Sequence, residues 1–130
     1  MALSARIVRR PLVALAGATA ALLVLAACSS APDVTPTGET TEVAVSVEGM
    51  RFVPDTIEVP VGNKLVIEFT NTGDMVHDLV LADGSSTDHL APGASETIDA
   101  GVIGADMDGW CSVSNHRAQG MVLKVKAVTP

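Results

Sequence analysis

The segment Trp110-Cys111-Ser112-Val113-Ser114-Asn115-His116-Arg117-Ala118-Gln119-Gly120-Met121 places a thiol, an imidazole and a thioether on one short loop, in the order C-x4-H-x4-M. An ion cycling between Cu(I) and Cu(II) needs a soft sulfur for one state and imidazoles for the other, with a weak, distant axial thioether to set the potential. The loop therefore offers the ligand chemistry of a mononuclear copper site. A second imidazole must come from upstream, and His77 is the best candidate. If His77 starts one strand and Cys111 ends another, the loop to His116 and the return at Met121 bring all four side chains to one end of a β-sandwich. Two imidazole nitrogens and a thiolate then share a plane, with Met121 off its axis.

The rest of the histidine inventory limits the chemistry. His89 is the only other histidine. Its setting, Ser85-Ser86-Thr87-Asp88-His89-Leu90-Ala91-Pro92, is that of a surface loop and a solvated side chain rather than a ligand. A copper oxidase or reductase needs a second copper site with several more imidazoles, often one beside the cysteine, but Cys111 is flanked by Trp110 and Ser112. Substrate chemistry at copper is therefore not expected. Met50, Met75 and Met107 do not form a clustered repeat, so gap-filling and loop packing account for them. There is no Ser-His-Asp set in credible context and no phosphate-cradling glycine loop. The expectation is a protein that is not an enzyme and has no small-molecule substrate.

Short strands must position these residues. Val43, Val45 and Val47 alternate with Glu42, Ala44, Ser46 and Glu48, and Leu65, Ile67 and Phe69 alternate with Val66, Glu68 and Thr70. That period of two marks strands with one buried face. Thr56 to Val59 lies between Pro54 and Pro60, and Leu79 to Leu81 follows the turn Asn71-Thr72-Gly73-Asp74. Ala94 to Asp99, Gly109 to Val113 and Met121 to Val128 complete the set. No helical period is visible beyond the N-terminal segment. About seven to eight short strands at near-regular spacing predict an all-β Greek-key β-sandwich over residues 42–130. Tyrosine is absent and Phe52, Phe69 and Trp110 are the only aromatic residues, so the core must rest on valine, isoleucine and leucine.

Ahead of the domain, Arg6, Arg9 and Arg10 precede the apolar run Leu12 to Leu25, which ends in Leu25-Ala26-Ala27-Cys28 followed by Ser29 and Ser30. This resembles a bacterial lipoprotein signal over residues 1–27, with cleavage before a lipid-bearing Cys28. Export through the general or the twin-arginine route leaves the protein outside the cytoplasm in either case. Residues 28–41, rich in Ser, Pro, Thr and acid, are expected to be a flexible tether between a membrane anchor and the domain. Cleavage leaves five basic against fifteen acidic residues, a formal charge of −10 in place of −7. Such a field disfavours nucleic acid and favours a basic partner. With Cys28 lipidated, Cys111 is the only thiol left in an oxidising compartment and cannot form an internal disulfide.

The run Arg51-Phe52-Val53-Pro54, Ile57-Glu58-Val59, Val61-Gly62 and Phe69-Thr70-Asn71, followed by His77 and the Cys-His-Met loop, resembles the cupredoxin family over nearly the whole exported chain. The resemblance implies a type 1 blue copper that transfers single electrons, with His77, Cys111, His116 and Met121 as ligands and a redox protein as partner. It also implies that His116 meets solvent as the electron port, beside Arg117, which either orients a partner or is a solvated charge. Two features depart from the family pattern. The Cys-to-His gap is longer than in the shortest members and is similar to that of azurin-like and nitrite-reductase-associated domains. Asp78 stands where many members carry an asparagine that ties the two ligand loops together, so it is either such a tie or a solvated acid. Trp110 occupies an aromatic position of the family and is expected to pack beneath the loop. Copper delivery or buffering through Cu(I) is the alternative function, and a metal-free surface adhesion module a third.

Overall fold

Alternating side chains bury one face of a strand and wet the other, and eight strands of this kind make up the domain. The computed structural model describes residues 33–130. In chain order the strands are β1 (Thr40–Glu48), β2 (Arg51–Val53), β3 (Thr56–Pro60), β4 (Lys64–Thr70), β5 (Val80–Leu81), β6 (Ser95–Val102), β7 (Met107–Trp110) and β8 (Val122–Val128). The signal segment and Cys28 lie outside the described residues.

The strands form two four-stranded sheets, ordered β2-β1-β4-β6 and β3-β8-β7-β5. β1 runs parallel to β4 and β3 parallel to β8, while the remaining neighbours are antiparallel. The inward faces of the two sheets meet in one core. Leu65, Ile67 and Phe69 of β4 are fully buried, as are Val59 of β3 and Leu123 of β8. Phe52 of β2 packs edge-on against Phe69, with ring centroids 5.8 Å apart at 72°. The core is thus aliphatic around a single aromatic pair, and each such side chain contributes about 1.5–3 kcal/mol by leaving water.

The differences from the sequence expectation lie at strand ends. β1 opens at Thr40 because Thr40 and Thr41 pair with Lys64 and Leu65, although their composition groups them with the tether. β2 is an additional three-residue strand, visible only through its pairing of Val47 with Phe52. β7 stops at Trp110, since after one further main-chain bond at Cys111 the chain turns away to form the loop, and that loop contains one 3-10 turn, Arg117–Gln119.

Parallel pairing gives the sandwich two distinct poles. β4 ends, β7 ends and β8 begins at the same pole, which is where the candidate ligands lie. At the other pole Thr37 donates its N–H to Gly62 O at 2.9 Å, pinning the chain that leads into β1.

Candidate metal centre

His77 sits in the stretch between β4 and β5. Its main chain exchanges two hydrogen bonds with Leu90, His77 N to Leu90 O at 3.2 Å and Leu90 N to His77 O at 2.8 Å. On the facing segment, Cys111 N donates to Met121 O at 3.1 Å, carrying the β7–β8 ladder one residue past Trp110 and Val122. Side chains alternate along a strand, so the step that turns Trp110 outward turns Cys111 inward. The loop bends at Ser114, whose φ is +50°. His116 N bonds Val113 O, and Met121 N bonds His116 O, both at 3.1 Å. The main chain alone therefore fixes Cys111, His116 and Met121 to one another.

His77, Cys111 and Met121 are fully buried and His116 is 6 % exposed. Cys111 Sγ lies 3.8 Å from His77 Nδ1 and 3.5 Å from His116 Nδ1. Bonds of about 2.3 Å to thiolate and 2.0 Å to imidazole, opened to trigonal angles, put sulfur and nitrogen about 3.7 Å apart. The observed spacings match this, so the donors fit one ion without rearrangement. Among the described residues, His77, Cys111 and His116 are the only such group whose ligand atoms all lie within 4.8 Å of one another.

Burial also sets the protonation of the site. Desolvation lowers the pKa of His77 below the ordinary histidine value, and the neighbouring His116 adds to the effect. Burial pushes the Cys111 thiol up, while the backbone N–H groups of Asp78 and Val113 directed at the sulfur pull the other way. At neutral pH, His77 thus presents a free lone pair and Cys111 a thiol whose proton a metal must displace.

Asp78 is the tie between the two ligand segments. It is 2 % exposed. Its Oδ1 accepts Ser112 N–H at 2.6 Å and its Oδ2 accepts the Ser112 hydroxyl, joining the residue after His77 to the residue after Cys111. Ser112 is a functional residue that the sequence did not single out, although a hydroxyl directly after the cysteine was the available signal. His89 stays outside the ligand group. Its side chain is 64 % exposed, and Nε2 lies 3.4 Å from Asp78 Oδ2.

Trp110 packs against the ligand loop, but outside the buried core. It is half-buried on the outward side of β7, and the Arg117 guanidinium stacks on its ring 4.0 Å from the centroid. Arg117 is thereby held by the protein itself. His116 is 6 % exposed and so meets solvent by an edge of its ring. Met50 and Met107 pack against the core, whereas Met75 is exposed.

Comparison with known proteins is consistent with this geometry. Residues 17–104 match the model of the cupredoxin-like domain. The match ends before Cys111, so it rests on the scaffold and the His77 region, independently of the ligand loop. No curated protein sequence matches the chain. Among solved structures, dithionite-reduced auracyanin from the photosynthetic bacterium Roseiflexus castenholzii superposes with a TM-score of 0.60 at 20 % identity, over 70 % of this chain and 99 % of its own. A mutant plastocyanin of a fern, solved oxidised and reduced, gives 0.50 at 22 % identity, over 65 % and 99 %. The copper-containing nitrite reductase of Thermus scotoductus gives 0.54 at 23 % identity, over 71 % of this chain and 23 % of that one. Scaffold and donor set agree: His77, Cys111, His116 and Met121 are arranged as a single copper site.

Proposed function

The chain belongs to the cupredoxin-like family, and from that premise we propose that it carries single electrons, with His77, Cys111, His116 and Met121 as the ligands of one copper ion. The bound ion supplies the one-electron couple. The chain supplies everything that makes the couple fast and reversible. Donors held by main-chain bonds move little between oxidation states, and a small rearrangement means a low barrier to transfer. Asp78 and Ser112 hold the His77 and Cys111 segments in register. Burial of the four side chains keeps water out of the site.

The observation that carries this reading is the convergence of three buried donor atoms within 4.8 Å, at the spacing of a trigonal ion. With His89 outside the group and no further imidazole in the chain, a second copper site has no ligands, which supports a carrier rather than an enzyme. A similar fold is held in both redox states by the fern plastocyanin, and the auracyanin was solved reduced, which supports this reading.

The chain is further proposed to be lipid-anchored through Cys28 outside the cytoplasm and to meet a redox partner with a basic face. The lipoprotein-like segment and the formal charge of −10 after cleavage support this. No helix among the described residues is long and apolar enough to cross a membrane.

The test is a visible and EPR spectrum of the chain after one equivalent of Cu(II). An intense thiolate-to-copper band that bleaches reversibly with reductant and vanishes in Cys111→Ser is expected. A colourless protein that retains only Cu(I) would instead establish the delivery function. Mass spectrometry of the membrane fraction, with Cys28→Ser as control, tests the anchor.

A further inference from the structure

A metal-bound imidazole almost always gives its second N–H to a carboxylate, a carbonyl or water, which orients the ring and raises its basicity. His77 departs from that rule. Its Nδ1 faces Cys111 Sγ, which leaves Nε2 to carry the proton, and Nε2 is buried with no hydrogen-bond partner.

Gly73 forms the wall at that edge of the ring. A Cβ on Gly73 would stand 3.2 Å from His77 Nε2, 3.3 Å from His77 Cδ2 and 3.3 Å from Asn71 Oδ1. Gly73 does not adopt the left-handed backbone region, so glycine is needed here for space and not for conformation. Asn71, fully buried, draws the loop down onto the ring. Its Oδ1 accepts Gly73 N–H at 3.0 Å, and its Nδ2 donates to Met75 O and Leu90 O, each at 2.8 Å. Leu90 O also receives His77 N. The acceptor that flanks Gly73 beside the ring is thus already engaged by the loop's own N–H.

We propose that Asn71 and Gly73 are positioning residues for the copper site: Asn71 pulls the loop closed, and the bare Gly73 lets it close against His77 so that Nε2–H has no acceptor. An imidazole without that hydrogen bond is less basic and a poorer donor. Weaker nitrogen donation stabilises Cu(II) less than Cu(I), so the device raises the reduction potential. The inference rests on the copper reading above.

The test compares the full chain with Gly73→Ala, Gly73→Ser and Asn71→Asp. Four properties are read: thermal unfolding and the His77 ring 15N resonances of the copper-free protein, and the potential and charge-transfer band after adding Cu(II). Gly73→Ala is expected to push the His77 ring by a few tenths of an ångström, to lower the melting temperature modestly, and to shift the His77 resonances and the band. Gly73→Ser places a hydroxyl within reach of Nε2 and is expected to have a lower potential than Gly73→Ala. Asn71→Asp keeps the acceptor for Gly73 but loses both donations, and is expected to shift the same His77 resonances. Unmoved His77 resonances and potential in all three variants, or a fall in melting temperature with the potential unchanged, would overturn the proposal. If no charge-transfer band forms in any chain, the copper reading fails, while the His77 resonances still decide whether Gly73 sets the ring.

Discussion

Cys111 and His77 are both held neutral by burial, and opposite pH limits follow. The folded-state pKa of His77 is depressed, so the unfolded chain binds the extra proton first and copper-free stability falls as pH drops below about 6.5. The folded-state pKa of Cys111 is raised, so the unfolded chain loses its proton first and stability falls as pH rises past about 8.5. Urea midpoints of the copper-free chain should therefore be highest between those values, and a flat profile from pH 5.5 to 9.5 would refute it. Metal uptake follows the same chemistry. Each ion displaces the thiol proton, so Cu(II) affinity should rise about tenfold per pH unit above neutrality, measured by chelator competition. Asp78 gives a mutational test at this scale. Asp78→Ala removes the acceptor of the Ser112 N–H and hydroxyl and should cost about 1 kcal/mol by denaturant unfolding, whereas Asp78→Asn keeps one acceptor and should cost less.

The ligand loop is an element in its own right, although it holds only one 3-10 turn. It is closed at its base by the Cys111–Met121 bond and along its length by Val113–His116 and His116–Met121 bonds. The Arg117–Trp110 stack fastens its outer side to β7. An exposed cation–π contact is worth about 0.5–1 kcal/mol, so Arg117→Ala should lower stability by no more than that. The clearer effect should be on His116, one residue away, with faster loss of copper to a chelator. Equal release rates in the parent and Arg117→Ala would show that the main-chain bonds hold His116 without the stack.

For the whole molecule, polarity is the main consequence of the fold. The chain leading into β1 crosses Gly62, where a Cβ would stand only 2.7 Å from Thr35 O. β4 begins beside that crossing and runs seven residues toward the metal pole, roughly 20 Å at strand rise. A tether from a lipid on Cys28 would thus enter at the pole opposite the ligands, turning the copper end away from the bilayer. On vesicles, the copper-loaded anchored chain should be reduced by a hydrophilic reductant as fast as the unanchored Cys28→Ser chain. A severalfold slowing would place the metal end against the membrane.

The sequence by itself determined the ligand types, their C-x4-H-x4-M spacing and the period-two strands of β1, β4 and β8, because these are local properties of side-chain chemistry and strand geometry. His77 was legible as a partner from the scarcity of histidines and from the family pattern that precedes it. Tertiary structure decided what depends on distance between remote segments. It turned Asp78 into a tie to Ser112, set Trp110 outside the core with Arg117 of the loop stacked on it, and left His77 Nε2 without a partner. No local pattern encodes these contacts. They arise where β4, β7 and β8 meet at one pole, and that meeting is set by the packing of two sheets around a shared core.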